Sequence, residues 1–192
     1  MRIAIVHDNT DAIRLFSQLI DELGHELIWS TRSGINAILQ CHKNLPDLVL
    51  IKLDLPDMGG VEITRSIMNQ TPTTVIVICK SIKTYPAKVF EAMSAGALDA
   101  FAEPEDNQPE TLQNLKNKIQ NINKLHKSIS RKHAPEKNQI EKDIPLIAIG
   151  ASTGGPAALV KVLTRLPESI DAVIVIIQHM DNQFSEGLVK WL

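Results

Sequence analysis

Two cysteines in 192 residues, Cys41 and Cys79, are too few for a disulfide framework or a zinc ligand set. Both lie in or beside apolar stretches, where free cysteine behaves as a small hydrophobe. No long apolar run is present either. The longest, Ala172 to Ile177, falls far short of the roughly 20 residues that cross a bilayer, so no membrane insertion is expected. The opening residues MRIAIVHDN lack the cationic start, long apolar stretch and small-residue cleavage site of a secretory signal, and a cytoplasmic chain is expected. There is no marked excess of one charge: a formal net charge of -2 argues against a dedicated nucleic-acid binder. With 44% hydrophobic and 22% charged residues the chain lies far from the composition of disordered segments and can bury a core.

What is there is an alternation of apolar runs and helix-period segments. Strands are expected over Ile3 to His7, Leu27 to Thr31, Leu48 to Leu53, Thr74 to Cys79 and Asp99 to Ala102. Helical spacing covers Thr10 to Leu23, Ser33 to Cys41, Gly60 to Asn69, Ala87 to Ala95 and Pro109 to about Ile129. Near-continuous apolar strands such as LVLIKL and TTVIVIC imply burial on both faces, as in a parallel sheet covered by crossover helices. Five such units predict a doubly wound α/β domain over residues 1–129, with functional loops at the carboxyl ends of its strands. From Lys116 to Lys142 eight Lys or Arg face two Glu, and few apolar residues follow Ile129. Residues 130–143 therefore read as a solvated basic linker; with no base-reading or stacking motif in it, a soluble tether is preferred to a docking site for an acidic partner. Over 144–192 the rhythm resumes as IPLIAIG, a Gly-rich turn, a helix Pro156 to Leu166, a strand Ala172 to Ile177 and a helix from about Gln183. Two strand–helix units cannot cover both faces of a parallel sheet, so this second, Rossmann-like α/β domain is expected to be incomplete.

The turn Gly150-Ala151-Ser152-Thr153-Gly154-Gly155-Pro156 joins a buried-type strand to a helix. A serine there projects its hydroxyl at the strand end, the glycines let the backbone bend and a substrate approach, and helix N-terminal amides can stabilise an oxyanion. The next strand ends in Gln178-His179, and parallel pairing would bring His179 to the edge that holds Ser152, in place to take and return its proton. A phosphate or dinucleotide cradle competes, but G-x-G-x-x-G is absent and no acidic residue closes the following strand. The G-x-S-x-G match also suggests an α/β-hydrolase, whose histidine comes last and far along the chain. A Gly-rich loop without chemistry is as good a reading of the turn alone; His179 tips the balance toward a nucleophile.

GASTGGPAAL followed by VIVIIQHM, behind the five-unit domain and linker, resembles the bacterial chemotaxis methylesterases of the CheB type, in which a flavodoxin-like receiver precedes an esterase. The resemblance implies hydrolysis of glutamyl methyl esters on the cytoplasmic domains of methylated chemoreceptors, and often deamidation of glutamines, by a Ser-His-Asp triad without a cofactor. It also implies signalling partners, such as a chemotaxis histidine kinase, for the receiver. Ser152 matches the family nucleophile and His179 its general base; no residue up to Leu192 matches the triad aspartate. The family often has proline after QHM, where this chain has Asp181.

The same resemblance exposes a rewritten phosphorylation site. Receiver chemistry needs carboxylates for a divalent cation, an acceptor aspartate, a hydroxyl residue that senses the phosphoryl group and a lysine that neutralises it. Where the family has two consecutive acids the chain has Asp8-Asn9. The acceptor aspartate, four residues before proline and eight before glycine, falls on Lys52 when counted back from Pro56 and Gly60. The hydroxyl position is Cys79, followed by Lys80 and Ser81, and the lysine before proline is Glu103. Pro56, Gly60, Gly96, Ala97 and Pro104 hold the register, and Asp54, two residues past the acceptor position, is a poor substitute. A lysine at the acceptor position repels Mg²⁺, so no metal site is expected. Lys52 and Glu103 carry the usual pair with its charges exchanged and are expected to form an ion pair, joined by Asp8, that plugs the site. The rival to an esterase is a non-catalytic interaction module: a degenerate receiver that docks a partner, followed by a vestigial esterase segment.

Overall fold

A computed structural model describes residues 1–80, 86–104, 109–128, 145–180 and 185–192. The expected linker over 130–143, Ser81, Asp181 and the helix start at Gln183 lie outside the described residues. In chain order the elements are β1 (Arg2–Val6), α1 (Thr10–Glu22), β2 (Glu26–Thr31), α2 (Gly34–Lys43), β3 (Leu48–Lys52), α3 (Gly60–Gln70), β4 (Thr74–Cys79), α4 (Pro86–Ser94), β5 (Asp99–Ala102) and α5 (Pro109–Ser128). They are followed by β6 (Leu146–Ala151), α6 (Gly155–Leu163), β7 (Val173–Gln178) and α7 (Ser185–Trp191).

The first five strands form one parallel sheet in the order β2-β1-β3-β4-β5, the doubly wound arrangement that the alternating apolar runs imply. Side chains alternate between its two faces. Ala4, Val6, Val49, Ile51, Val75 and Val77 pack under α2, α3 and α4. Ile3, Ile5, Leu48, Leu50, Ile76 and Ile78 pack under α1 and α5, with Phe16 and Ile119. Every residue of β3 is buried, Lys52 included, so the central strand could not alternate apolar with polar. Strand order reverses between β1 and β3, and a crevice opens outside their carboxyl ends; His7, Asp8 and Lys52 sit there. Asn9 starts α1 by accepting hydrogen bonds from the N–H groups of Asp11 and Ala12, a task that an amide performs as well as an acid.

Many element ends differ from expectation by one or two residues, and the end of α6 differs by three. β1 stops at Val6, one residue before His7, although His7 N–H still donates to Thr31 O at 3.0 Å. α6 stops at Leu163 rather than Leu166. Arg165 and Leu166 donate to carbonyls three residues back, a tightened last turn ahead of Pro167, and the Thr164 hydroxyl bonds the Val160 carbonyl.

β6 and β7 form a separate parallel pair. On one of its faces Leu146, Val173, Val175 and Ile177 are exposed. The second unit touches the first through α7: Leu188 is buried against the α4 cluster, and the Trp191 ring stacks on Phe90 with centroids 5.2 Å apart.

Candidate active site

β6 and β7 run in register from Leu146 and Val173 to Ala151 and Gln178, so both strands end side by side. The last backbone bond of the ladder runs from His179 N–H to Ala151 O, 2.8 Å. Ser152 and His179 are therefore the neighbouring residues just past a paired edge, and Ser152 Oγ lies 3.4 Å from His179 Nδ1. Both residues are exposed, which suits attack on a group carried by another macromolecule. The contact is long for a hydrogen bond, as catalytic contacts often are before substrate binds. Because the serine faces Nδ1, Nε2 is the atom that an orienting acid must reach. Among the described residues His179 has no ion pair.

The turn that carries Ser152 depends on its glycines. Gly154 has φ 79° and ψ -4°, the left-handed region, and serves as N-cap of α6 with Pro156 in the first turn. Gly155 N–H donates to Ser152 O at 2.7 Å and closes the turn. The Gln178 amide, given no task by the sequence, donates from Nε2 to both Ser152 O and His179 O, each at 2.9 Å.

The crevice of the large sheet holds the second cluster. Lys52 Nζ lies 2.5 Å from Asp8 Oδ1, with only 9% of the lysine side chain exposed. Glu103, expected to share Lys52, is instead 3.1 Å from Nε2 of His7, which is fully buried. Asn9 N–H donates to His7 Nδ1 at 3.1 Å, so Nε2 carries the ring proton, on the side of the ring near Glu103. The expected charge-exchanged pair is thus divided: Asp8 takes the lysine, and a buried histidine takes the glutamate. His7 was missed as a site residue. The signal for it was a polar ring at the end of a buried apolar strand, where it needs a hydrogen-bond partner.

The pairs set the acidities. Burial pushes Asp8 up, but the hydrogen bond and charge of Lys52, with His7 beside it, hold its carboxyl below the usual value. The His7 hydrogen bond holds Glu103 below its usual value against burial. Burial pushes the Cys79 thiol up to about 12, with the charges of Asp54 and Glu103 adding to the effect; its sulfur sits 3.7 Å from Phe101 O. Asp54 turns away to Lys88 of α4, 2.8 Å distant. A cavity of about 430 Å³ beside the cluster is lined by Asp8, Asp54, Glu62 and Glu91 against Lys88. Among the described residues no set of three His, Cys, Asp or Glu side chains is arranged to hold a metal ion.

The sequence profile of the response regulator receiver domain matches residues 3–117, and that of the CheB methylesterase matches residues 147–192. The chain belongs to the response regulator receiver family, in its CheB form. Relatives of this CheB-type chain include a protein-glutamate methylesterase/protein-glutamine glutaminase of Mesorhizobium japonicum, 41% identical over 200 residues, covering 100% of this chain and 59% of that protein. A protein of the same name from Pseudomonas aeruginosa is 38% identical over 205 residues, with the same two coverages. The chain thus spans about 59% of the length of these relatives. Among solved structures, the response regulator domain of Thermotoga maritima CheB superposes with a TM-score of 0.56 at 20% identity, over 69% of this chain and 98% of that one, a likeness of fold. No helix among the described residues of the CheB-type chain is long and apolar enough to cross a membrane.

Proposed function

We propose that this chain comprises a receiver over 1–129 that has lost its phosphoacceptor, a basic linker over 130–143, and from residue 144 the opening part of a protein-glutamate methylesterase domain that acts on methylated chemoreceptors. What carries the reading is the Ser152–His179 juxtaposition past the paired ends of β6 and β7. His179 takes the proton as Ser152 Oγ attacks the glutamyl ester carbonyl, and backbone N–H groups of the turn that follows the serine offer donors to the oxyanion. The proton then passes to the departing methoxide, methanol leaves, and water attacks the acyl-serine to release glutamate. With a glutamine side chain the same steps release ammonia. An acid reaching Nε2 of His179 would hold the ring for this work. Without one the 192 residues by themselves should turn over about 10⁴-fold more slowly than a chain with the full length of the relatives.

The test is methanol release from a methylated chemoreceptor cytoplasmic domain, with the full-length natural protein. Ser152→Ala and His179→Ala should each reduce the rate by about 10³-fold or more, with unchanged circular dichroism. Normal turnover in the folded Ser152→Ala variant would remove the esterase reading. The Lys52–Asp8 pair favours one alternative, a non-catalytic module whose receiver docks a signalling partner, such as a histidine kinase, in one fixed state. On that reading Ser152→Ala would leave signalling intact.

A further inference from the structure

We infer that Gln178 is a positioning residue of the esterase, clamping the backbone of the nucleophile to the backbone of the base; the inference rests on the Ser152–His179 reading. An amide nitrogen has two N–H donors, and both are used here, one on Ser152 O and one on His179 O, each at 2.9 Å. Both partners are acceptors, which also settles the orientation of the amide. The sheet ladder ends at His179 N–H and Ala151 O, so no ladder bond sets Ser152 against His179. The Gln178 side chain supplies the next link.

Ser152 O is gripped from two sides, by Gln178 Nε2 and by Gly155 N–H at 2.7 Å. This fixes the carbonyl, and with it the direction in which Oγ leaves the turn. The second observation is steric. A Cβ on Gly155 would lie 2.0 Å from Gln178 Oε1 and 2.8 Å from both Gln178 Cδ and Ala151 Cβ, so the amide takes up part of the space that a side chain at 155 would need. Oε1 is itself buried without a hydrogen-bond partner, an arrangement that the two Nε2 bonds impose. Gly155 and Gln178 thus fit one another, the glycine leaving room for the amide that clamps the turn.

Gln178 touches no reacting atom; it acts through the 3.4 Å Ser152–His179 contact, whose length a small backbone shift would change. Misplacement on the order of 1 Å can cost about 100-fold in rate. In the full-length natural protein, Gln178→Met, which keeps the side-chain bulk and removes both donors, should lower kcat for methyl ester hydrolysis about 10- to 100-fold. KM should stay within about twofold, since groups that bind substrate alike in ground and transition state are untouched. Gly155→Ala should reproduce the kcat loss by displacing the amide. Ser152→Ala, run in parallel, separates the two ideas: if it retains turnover the esterase reading has failed, whereas if it is dead the Gln178 result stands by itself. A folded Gln178→Met protein with native kcat would overturn the inference. One readout needs no variant: in ¹⁵N NMR of the unmodified chain both Gln178 side-chain amide protons should exchange with solvent markedly more slowly than those of the exposed Gln18. Exchange as fast as that of Gln18 would overturn the clamp whatever the variants do.

Discussion

Lys52 Nζ lies 2.5 Å from Asp8 Oδ1, at the point where the carboxyl ends of β3 and β1 meet. The ammonium stands at the position proposed for the lost phosphoacceptor, and Asp8 is the carboxylate it engages. The contact cancels the charge that would attract a divalent cation.

Acetyl phosphate with Mg²⁺ should therefore leave the receiver unmodified. Lys52 presents no carboxylate to phosphorus, and its charge beside Asp8 opposes entry of Mg²⁺. Intact-mass measurement after incubation should show no 80 Da adduct, the mass of about one phosphoryl group. An adduct mapped to Asp54 would mean that its pairing with Lys88 does not prevent it from serving as acceptor.

Acid should weaken the cluster, and the sign follows from the two lowered carboxyls. Asp8 and Glu103 ionise more readily folded than unfolded, so their contribution is complete above the ordinary values of 3.8 and 4.5 and is lost as pH falls through the lower folded values. The Lys52–Asp8 pair, whose carboxylate is a third exposed, contributes about 0 to 1 kcal/mol. Lys52→Met, which removes the cation and keeps apolar bulk, should shift stability at pH 7 by no more than about 1 kcal/mol and flatten the acid loss assigned to Asp8. Urea unfolding at pH 7 and pH 3.5 measures both; an equally steep loss in Lys52→Met would show that the pair does not set the acid response.

Gly60→Ala should destabilise the receiver by about 1 to 3 kcal/mol. An added Cβ would lie 2.7 Å from Leu53 Cα and 2.8 Å from Lys52 O, and neither backbone atom can yield without moving the end of β3. A thermal or urea midpoint equal to the parent would show that β3 gives way freely there.

Thiol reagents should find neither cysteine in the native protein. Cys41 and Cys79 are each 1% exposed, and burial pushes their thiols up to about 11 and about 12, so almost no thiolate is present at pH 8. Labelling with a maleimide should be at least about 100-fold slower than in denaturant, where cysteine titrates near 8.5. Rapid native labelling of Cys79 would reveal frequent opening of the β4–β5 edge.

The sequence by itself determined the order of elements, the doubly wound sheet and the two motifs that led to Ser152 and His179, because each is written in local pattern. Apolar runs with helical spacing between them imply crossover units, and a Gly-rich turn after a strand needs no partner to be recognised. The count from Pro56 and Gly60 that puts Lys52 at the expected acceptor position is local in the same way. The pairing among charges was left to tertiary structure. Lys52, Asp8, His7 and Glu103 lie at or just past the ends of three strands, and which cation meets which anion depends on side-chain reach across the sheet, where His7, held by Asn9 N–H, claimed the glutamate. The task of Gln178 was hidden for the same reason. Its amide meets a carbonyl 26 residues away, and only the register of β6 on β7 brings the two together.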